Sequence, residues 1–323
     1  MSQVPPLEDI ITLACRAPSV HNTQPWKWRV RGDRLDLFAD YRRQLVYADP
    51  ARRDLLVSCG AALHHLQVVG AGLGWAARVH RLPDPSDERH VAGVVLKPRA
   101  GSSPDRDLLD AVRRRRTDRR RFTSWPVPAE RLNALASVGS IWGAQVLPVP
   151  GDVTKDHLRR LTRQADRLQQ RNQRYVAELA AWTDGSLAEG IPAGHRPRRW
   201  GADPGEAVHR RFPSGTLPDE DSGPGAPEDG MLLICTSSDD AISRIRAGEA
   251  LSAVWLQATL DHLSVVPLSQ AVEVEETRHE LQTRILGDLA FPQILMRVGW
   301  PAASAAELAP TPRRPLSDVL EVV

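Results

Sequence analysis

Lysine is nearly missing from this chain of 323 residues: of its 42 basic side chains only Lys27, Lys97 and Lys155 are lysines. Its cationic chemistry is therefore guanidinium chemistry, a rigid donor fork suited to bidentate phosphate contacts. Aromatics make up only 5% and the formal net charge is +2. A nucleic-acid binder usually shows a basic domain overall and, for single strands, aromatics interleaved with the basic groups, so no nucleic-acid partner is expected. Cysteine is scarce too. Cys15, Cys59 and Cys235 lie far apart among apolar neighbours, which reads as small buried hydrophobes and not as a disulfide framework or zinc site. The start, "MSQVPPLEDI", lacks a basic segment followed by an apolar run, and no stretch approaches the roughly 18 apolar residues of a membrane helix. The expectation is a cytoplasmic protein with no membrane partner.

Familiar enzyme signatures are also missing. There is no G-x-S-x-G, H-E-x-x-H, C-x-x-C or G-x-x-x-x-G-K-[ST], which removes the hydrolase elbow, zincin and P-loop readings. "GAGLGW" at 70–75 ends a helix where a dinucleotide fingerprint would follow a strand. His64 and His65 are adjacent on one helix and point apart, so they cannot chelate one ion; no metal site is expected.

What is present divides into about two domains' worth of elements. Apolar spacing predicts a helix over 7–17 that stops at Pro18. Trp28 and Val30, then Leu35 and Leu37, alternate around "RGD" as a hairpin. Asp49 and Pro50 open a long buried helix to Gly70. A strand over 91–96, a helix over 108–116, a helix over 127–139, a strand over 143–149 and a polar helix over 152–184, broken once, follow. From 185 to 230 proline and glycine recur with no sustained period, the mark of a functional lid or a disordered loop. The strand "MLLICTSS" at 231–238 and a helix over 247–263 resume the core. The two long helices, "GAALHHLQVVGAGLGW" from Gly60 and "GEALSAVWLQATLDHL" from Gly248, share Gly, Ala and Leu at the first, third and fourth positions.

Two segments carry the chemistry. "AVRRRRTDRRRF" at 111–122 sets seven arginines in nine positions, which need solvation or an anion; taken alone, it suits a solvated helix face better than a phosphate site. "RAPSVHNTQPWKW" at 16–28 is full of helix breakers and runs into two tryptophans, as a turn or a binding loop would.

Together they resemble a known pattern. Ala17, Pro18, Ser19, Asn22, Gln24, Pro25 and Trp26 match the A-P-S-x-x-N-x-Q-P-W segment of the flavin-dependent nitroreductase superfamily. Arg115, Arg116, Thr117 and Arg119 resemble its R-R-S-x-R-x-F segment, with one extra residue before Phe122. "GEALSAVWLQAT" resembles its core helix, and "RVGWP" with "TPRRPLSDVL" its C-terminal end. Single-domain members carry the arginine motif first and pair two chains around each FMN. Here the order is reversed, about 95 residues apart, and each half lacks the other's motif. The arrangement resembles the Acg family of fused nitroreductase-like proteins.

That resemblance implies an α+β, nitroreductase-like fold of two tandem halves, 1–105 and 106–323, forming an intramolecular pseudo-dimer with a lid or loop at about 185–230. It implies FMN, its phosphate held by Arg116, Thr117, Arg119, Arg313 and Arg314, with Arg115 also at the cofactor. Ser19, Asn22 and Gln24 would reach the ring edge or ribityl chain, and Pro267, Leu268 and Ser269 would pass the flavin N5. NADH or NADPH would deliver hydride, passed on to a nitroaromatic or quinone-like acceptor, with no protein acid or base required for the hydride step itself. The loop could close over the FMN as a lid, with "HRPRRW" at 195–200 or "HRRF" at 209–212 contributing contacts, and the alternative is an FMN store closed by it. A fused chain needs no partner for its site, so a monomer is allowed.

Overall fold

In the computed structural model the alternation of Trp26, Trp28, Val30, Leu35 and Leu37 becomes a hairpin, β1 (Trp26–Arg31) against β2 (Arg34–Ala39). Trp28 pairs with Leu37 and Val30 with Leu35, so all five apolar side chains lie buried on one face. The structure describes residues 5–32, 34–183, 189–198, 210–218 and 229–323. Strands β3 (Trp75–Arg81) and β4 (His90–Pro98) extend this sheet antiparallel beyond β2. β5 (Gln145–Pro148), β6 (Gly230–Thr236), β7 (Ser264–Leu268) and β8 (Phe291–Gly299) form a second, wholly antiparallel sheet in the order β5-β6-β8-β7. The short β9 (Leu320–Val322) returns to the first sheet and lies parallel to β1, giving the order β3-β4-β2-β1-β9.

Among the described residues seven helices of eight or more residues accompany the sheets: α1 (Leu7–Ala14), α2 (Arg53–Gly72), α3 (Ser103–Arg114), α4 (Ala129–Ser140), α5 (Asp152–Gln170), α6 (Gln173–Ala181) and α7 (Ala241–Leu260). α2 and α7 are apolar nearly all round and are packed on each other between the sheets, as such helices must be. α2 is long and apolar enough to cross a membrane by length and composition, yet most of it is buried inside the protein. Their seam also holds polar ties. Glu249 is fully buried and accepts from Arg81 (2.7 and 2.8 Å) and Gln67 (2.9 Å). His64 and His65 do not point apart as their adjacency on the helix suggested: both meet the Ser252 hydroxyl through Nδ1, at 2.7 and 2.8 Å. Cys15, Cys59 and Cys235 are free and buried.

Several boundaries differ from the sequence expectation for identifiable reasons. α1 stops at Ala14, three residues before the expected end, and the chain tightens into i→i+3 bonds at Arg16 and Ala17. The long helix begins at Arg53 instead of Asp49, because Arg52 adopts a left-handed conformation (φ 56°). Asp49 still caps it from outside, accepting from the amides of Arg53 (2.6 Å) and Leu55 (2.9 Å). α3 starts five residues early on a Ser102–Asp105 capping box, and α7 six residues early on Asp240, which accepts from the Ser243 amide. The break expected within 152–184 falls at Asn172, whose side chain caps α6.

Candidate functional site

The loop between α1 and β1 is strained. His21 (φ 46°), Asn22 (φ 56°) and Gln24 (φ 49°) all sit in the left-handed region, where a non-glycine residue costs on the order of 1–3 kcal/mol. Such a conformation survives because its surroundings dictate it. Ser19 Oγ accepts from the Gln24 amide (3.0 Å), and Ser58 Oγ on α2 accepts from the Val20 amide (3.1 Å). Asn22 Nδ2 donates to the carbonyls of Gly190 and Pro312, each at 3.0 Å.

From the far end of the chain, Arg313 donates to Asn22 Oδ1 (3.1 Å) and to the carbonyls of Cys15 (2.9 Å) and Arg16 (3.0 Å). The Arg314 amide donates to Gln24 Oε1 (2.9 Å), and its guanidinium to Gln24 O (3.1 Å). Two arginines some 290 residues away thus hold the loop open.

The loop forms one wall of a cleft that, counted out into the solvent at its mouth, has about 980 Å³ of space free of protein atoms. Opposite it stand Arg115, Thr117 and Arg119, then Pro267, Leu268 and Ser269 at the end of β7. Val57, Leu251, Trp255, Val266 and Ile294 make the floor apolar. Of the residues expected at a cofactor site, the cleft brings together Ser19, Asn22, Arg115, Thr117, Arg119, Pro267, Leu268, Ser269 and Arg313. Gln24, Arg116 and Arg314 do not line it. Gln24 and Arg314 are spent on each other, and Arg116 donates to the carbonyls of Leu308, Arg113 and Arg115.

Arg116 instead borders a small adjoining recess of about 220 Å³, walled by Arg16, Arg115, Arg116, Pro310, Thr311 and Arg313. Four guanidinium groups meet there and, among the described residues, no carboxylate lines it. Arg115 is buried, donates once to Arg16 O (3.1 Å), and lies 4.6 Å from the Trp255 ring centre. Its Nε and Nη1 have no partner, nor does Arg16 Nε. Burial, then the charges of Arg313, Arg116 and Arg16, press the Arg115 pKa well down. A guanidinium does not surrender its proton in practice, so the recess keeps its positive charges crowded together. Arg313 is pushed down to about 10 by burial and by Arg16.

Other residues complete the wall. His21 is buried with neither ring nitrogen bonded, and burial followed by Arg210 and Arg119 keeps it neutral. Phe212 meets it edge-on, with ring centres 6.2 Å apart, and lies under Arg119. Phe212, Arg210 and Ile191 all come from the proline- and glycine-rich region. Arg210 donates to Ser269 Oγ (3.2 Å) and pairs with Glu273. Arg119 donates to the His195 carbonyl (3.2 Å), and His195 Nε2 meets the Ala309 carbonyl (2.7 Å). Contacts had been expected from "HRPRRW" and "HRRF"; Arg199, Trp200 and His209 lie outside the described residues. No local signal could have singled out His21, since what distinguishes it is burial against segments remote in sequence.

No protein-family model matches the sequence. Among known proteins, one of Mycobacterium tuberculosis provisionally named an NAD(P)H nitroreductase is 39% identical over 322 residues, spanning 97% of this chain and 90% of its own. A second from that organism, Acg, named in the same provisional way, is 32% identical over 322 residues, spanning 98% of this chain and 95% of its own. This chain belongs to the Acg family of nitroreductase-like proteins. Solved structures overlap the Acg-family chain more loosely. An FMN- and NADPH-dependent nitroreductase from Sphigopyxis covers 66% of it and 97% of its own chain at TM-score 0.42 and 18% identity. An FMN-bound nitroreductase from Bacteroides fragilis covers 62% of it and 92% of its own at TM-score 0.40 and 13% identity.

Proposed function

We propose that this Acg-family chain is an FMN-dependent NAD(P)H oxidoreductase that reduces small aromatic acceptors such as nitroaromatics or quinones. One observation carries the reading: a recess walled by four arginines without a carboxylate opens beside a large apolar cleft. A phosphate on an aromatic body is the chemistry that satisfies both at once. Arg16, Arg115, Arg116 and Arg313 would hold the phosphate, where Nε and Nη1 of Arg115 are free to donate. Ser19, Asn22 and Thr117 would border the ribityl chain and ring edge, with Pro267–Ser269 alongside. When bound, FMN supplies reversible two-electron, hydride-level chemistry; the protein supplies position, electrostatics and exclusion of water.

The reading extends to architecture. Residues 1–105 and 106–323 act as two fused nitroreductase-like halves, each contributing part of one cofactor site, and the tail beyond 312 crosses back to complete it. Such a chain is competent as a monomer and works in the cytoplasm, in keeping with its three free thiols. The test is direct: the purified protein is expected to be yellow, and a colourless chain that fails to retain added FMN would overturn the reading.

A specific observation also favours a second role. Gly190, His195 and Arg210, from the loop region, are all bonded into the cleft wall, as a lid over a stored flavin would be. Anaerobic mixing with NADH or NADPH separates the two, since bleaching within seconds marks an oxidoreductase and persistent colour marks a store.

A further inference from the structure

Asp54 lies in the first turn of α2, is buried, and lines the large cleft. It also lines a separate recess walled by Asp49, Arg53, Val272, Glu273, Glu275 and Arg278. Among the described residues it is the one that borders both. No donor reaches its Oδ2, and its carboxyl hydrogen-bonds to that of Glu273. The nearby cations are committed elsewhere, Arg53 to Asp239 and Arg210 to Glu273.

Two carboxyl groups placed together in a buried wall do not both ionise. Glu273 is the charged one: burial resists ionisation, but Arg210 and the donors Ser269 (2.6 Å) and Gln169 (2.6 Å) hold its pKa down. Asp54 is the protonated one. Burial raises its pKa well above the usual carboxylate range, Glu273 and Asp49 raise it further, and Arg210 opposes. Asp49 itself, with its acceptors taken up by α2 amides, is pushed up to about 6, mainly by burial. Arg278 and Glu275 face the same recess, and Tyr175 shares Arg210 from the side.

We propose that Asp54 is the proton donor of the cleft, protonating the acceptor as it is reduced and recovering its own proton through the second recess. The proposal rests on the oxidoreductase reading above. In the net reaction NAD(P)H, a proton and a quinone become NAD(P)⁺ and a hydroquinone. The hydride carries the electron pair and one hydrogen. The second hydroquinone O–H forms as the Asp54 O–H breaks, and the carboxylate then takes a proton from water.

The test isolates the oxidative step. FMN-loaded protein is reduced anaerobically with dithionite, so that no nicotinamide is needed, and mixed with 1,4-benzoquinone in a stopped-flow instrument. Asp54→Asn is expected to reoxidise about a hundredfold more slowly than wild type, Asp54→Glu to recover most of the rate, and the fall in wild-type rate with rising pH to vanish in Asp54→Asn. Reoxidation of Asp54→Asn at the wild-type rate overturns the proposal. Should Asp54→Asn not fold, the wild-type chain decides: slower reoxidation in D₂O together with the pH-dependent fall supports it, and a rate indifferent to both overturns it. Failure of NAD(P)H to bleach the wild-type flavin sinks the oxidoreductase reading and leaves this measurement intact.

Discussion

Gly60 and Gly248 face each other where α2 crosses α7. A Cβ on Gly60 would stand 2.0 Å from the Ile245 carbonyl oxygen, and a Cβ on Gly248 2.0 Å from that of Val57. The two helices meet backbone to backbone, at the first residue of the Gly-x-Ala-Leu motif they share. The obstruction is reciprocal: each helix sets a glycine against the backbone of the other.

Gly60→Ala and Gly248→Ala are therefore each expected to destabilise the protein by roughly 1–3 kcal/mol or more, since a single methyl must pry apart two packed helices. Urea unfolding measures this. Because both helices line the cleft, FMN retention should fall with them, whereas Gly101→Ala, where a Cβ would meet only the Ala71 carbonyl oxygen at an ordinary 3.6 Å, should leave retention unchanged.

Arg115 has the reverse signature. Two of its buried donors have no partner and three other guanidinium groups repel it, so Arg115→Leu should leave the flavin-free protein as stable as wild type or more so. Retention of FMN should nonetheless weaken about ten- to a hundredfold through loss of a charge-assisted contact. Differential scanning with and without FMN reads both effects, and a variant that loses apo stability without losing flavin would refute the assignment.

Asn22 separates strain from recognition. Glycine accepts its left-handed backbone freely, so Asn22→Gly relieves φ while deleting the bonds to Gly190, Pro312 and Arg313. Weaker FMN retention in this variant would assign the effect to those contacts, and both Asn22→Gly and Asn22→Ala are expected to show it.

Stability should fall as pH drops below 6.5. His64 is held down to about 3 by burial, and His65 and His21 are depressed by burial first and neighbouring arginines after. The unfolded chain binds protons that these folded histidines refuse, so each contributes a loss of up to about 1.4 kcal/mol per pH unit between 6.5 and its folded pKa. Asp54 and Asp49, raised in the folded state, act in the opposite sense and offset part of it. Urea midpoints at pH 7 and pH 5 measure the net slope, and His64→Gln should flatten it.

Much of this was legible from local pattern. The hairpin, the long apolar helices, the split polar helix and the buried cysteines follow from periodicity and caps, because a strand or helix that must bury one face announces its period. The misread starts, at Asp49 for α2 and at 108 and 247 for α3 and α7, arose where capping side chains stand away from the apolar stripe. Loop residues 16–28 and the arginine run were conspicuous for their composition. Their joint role was not, since neither carries a period that points to a partner.

The chain's order of residues determines which side chains can serve: arginines for an anion, a rigid turn for a ring edge, a repeated glycine for close helix packing. Folding decides which of them meet. Arg313 reaches Asn22, Arg16 joins Arg115 and Arg116, and Arg210 enters the cleft beside Glu273, across separations of 63 to 291 residues in the cases bonded directly. Only the packed structure separates Asp54 from Glu273, one left protonated and one held charged. Burial and the placement of a single guanidinium make that difference, and neither is a property of local sequence.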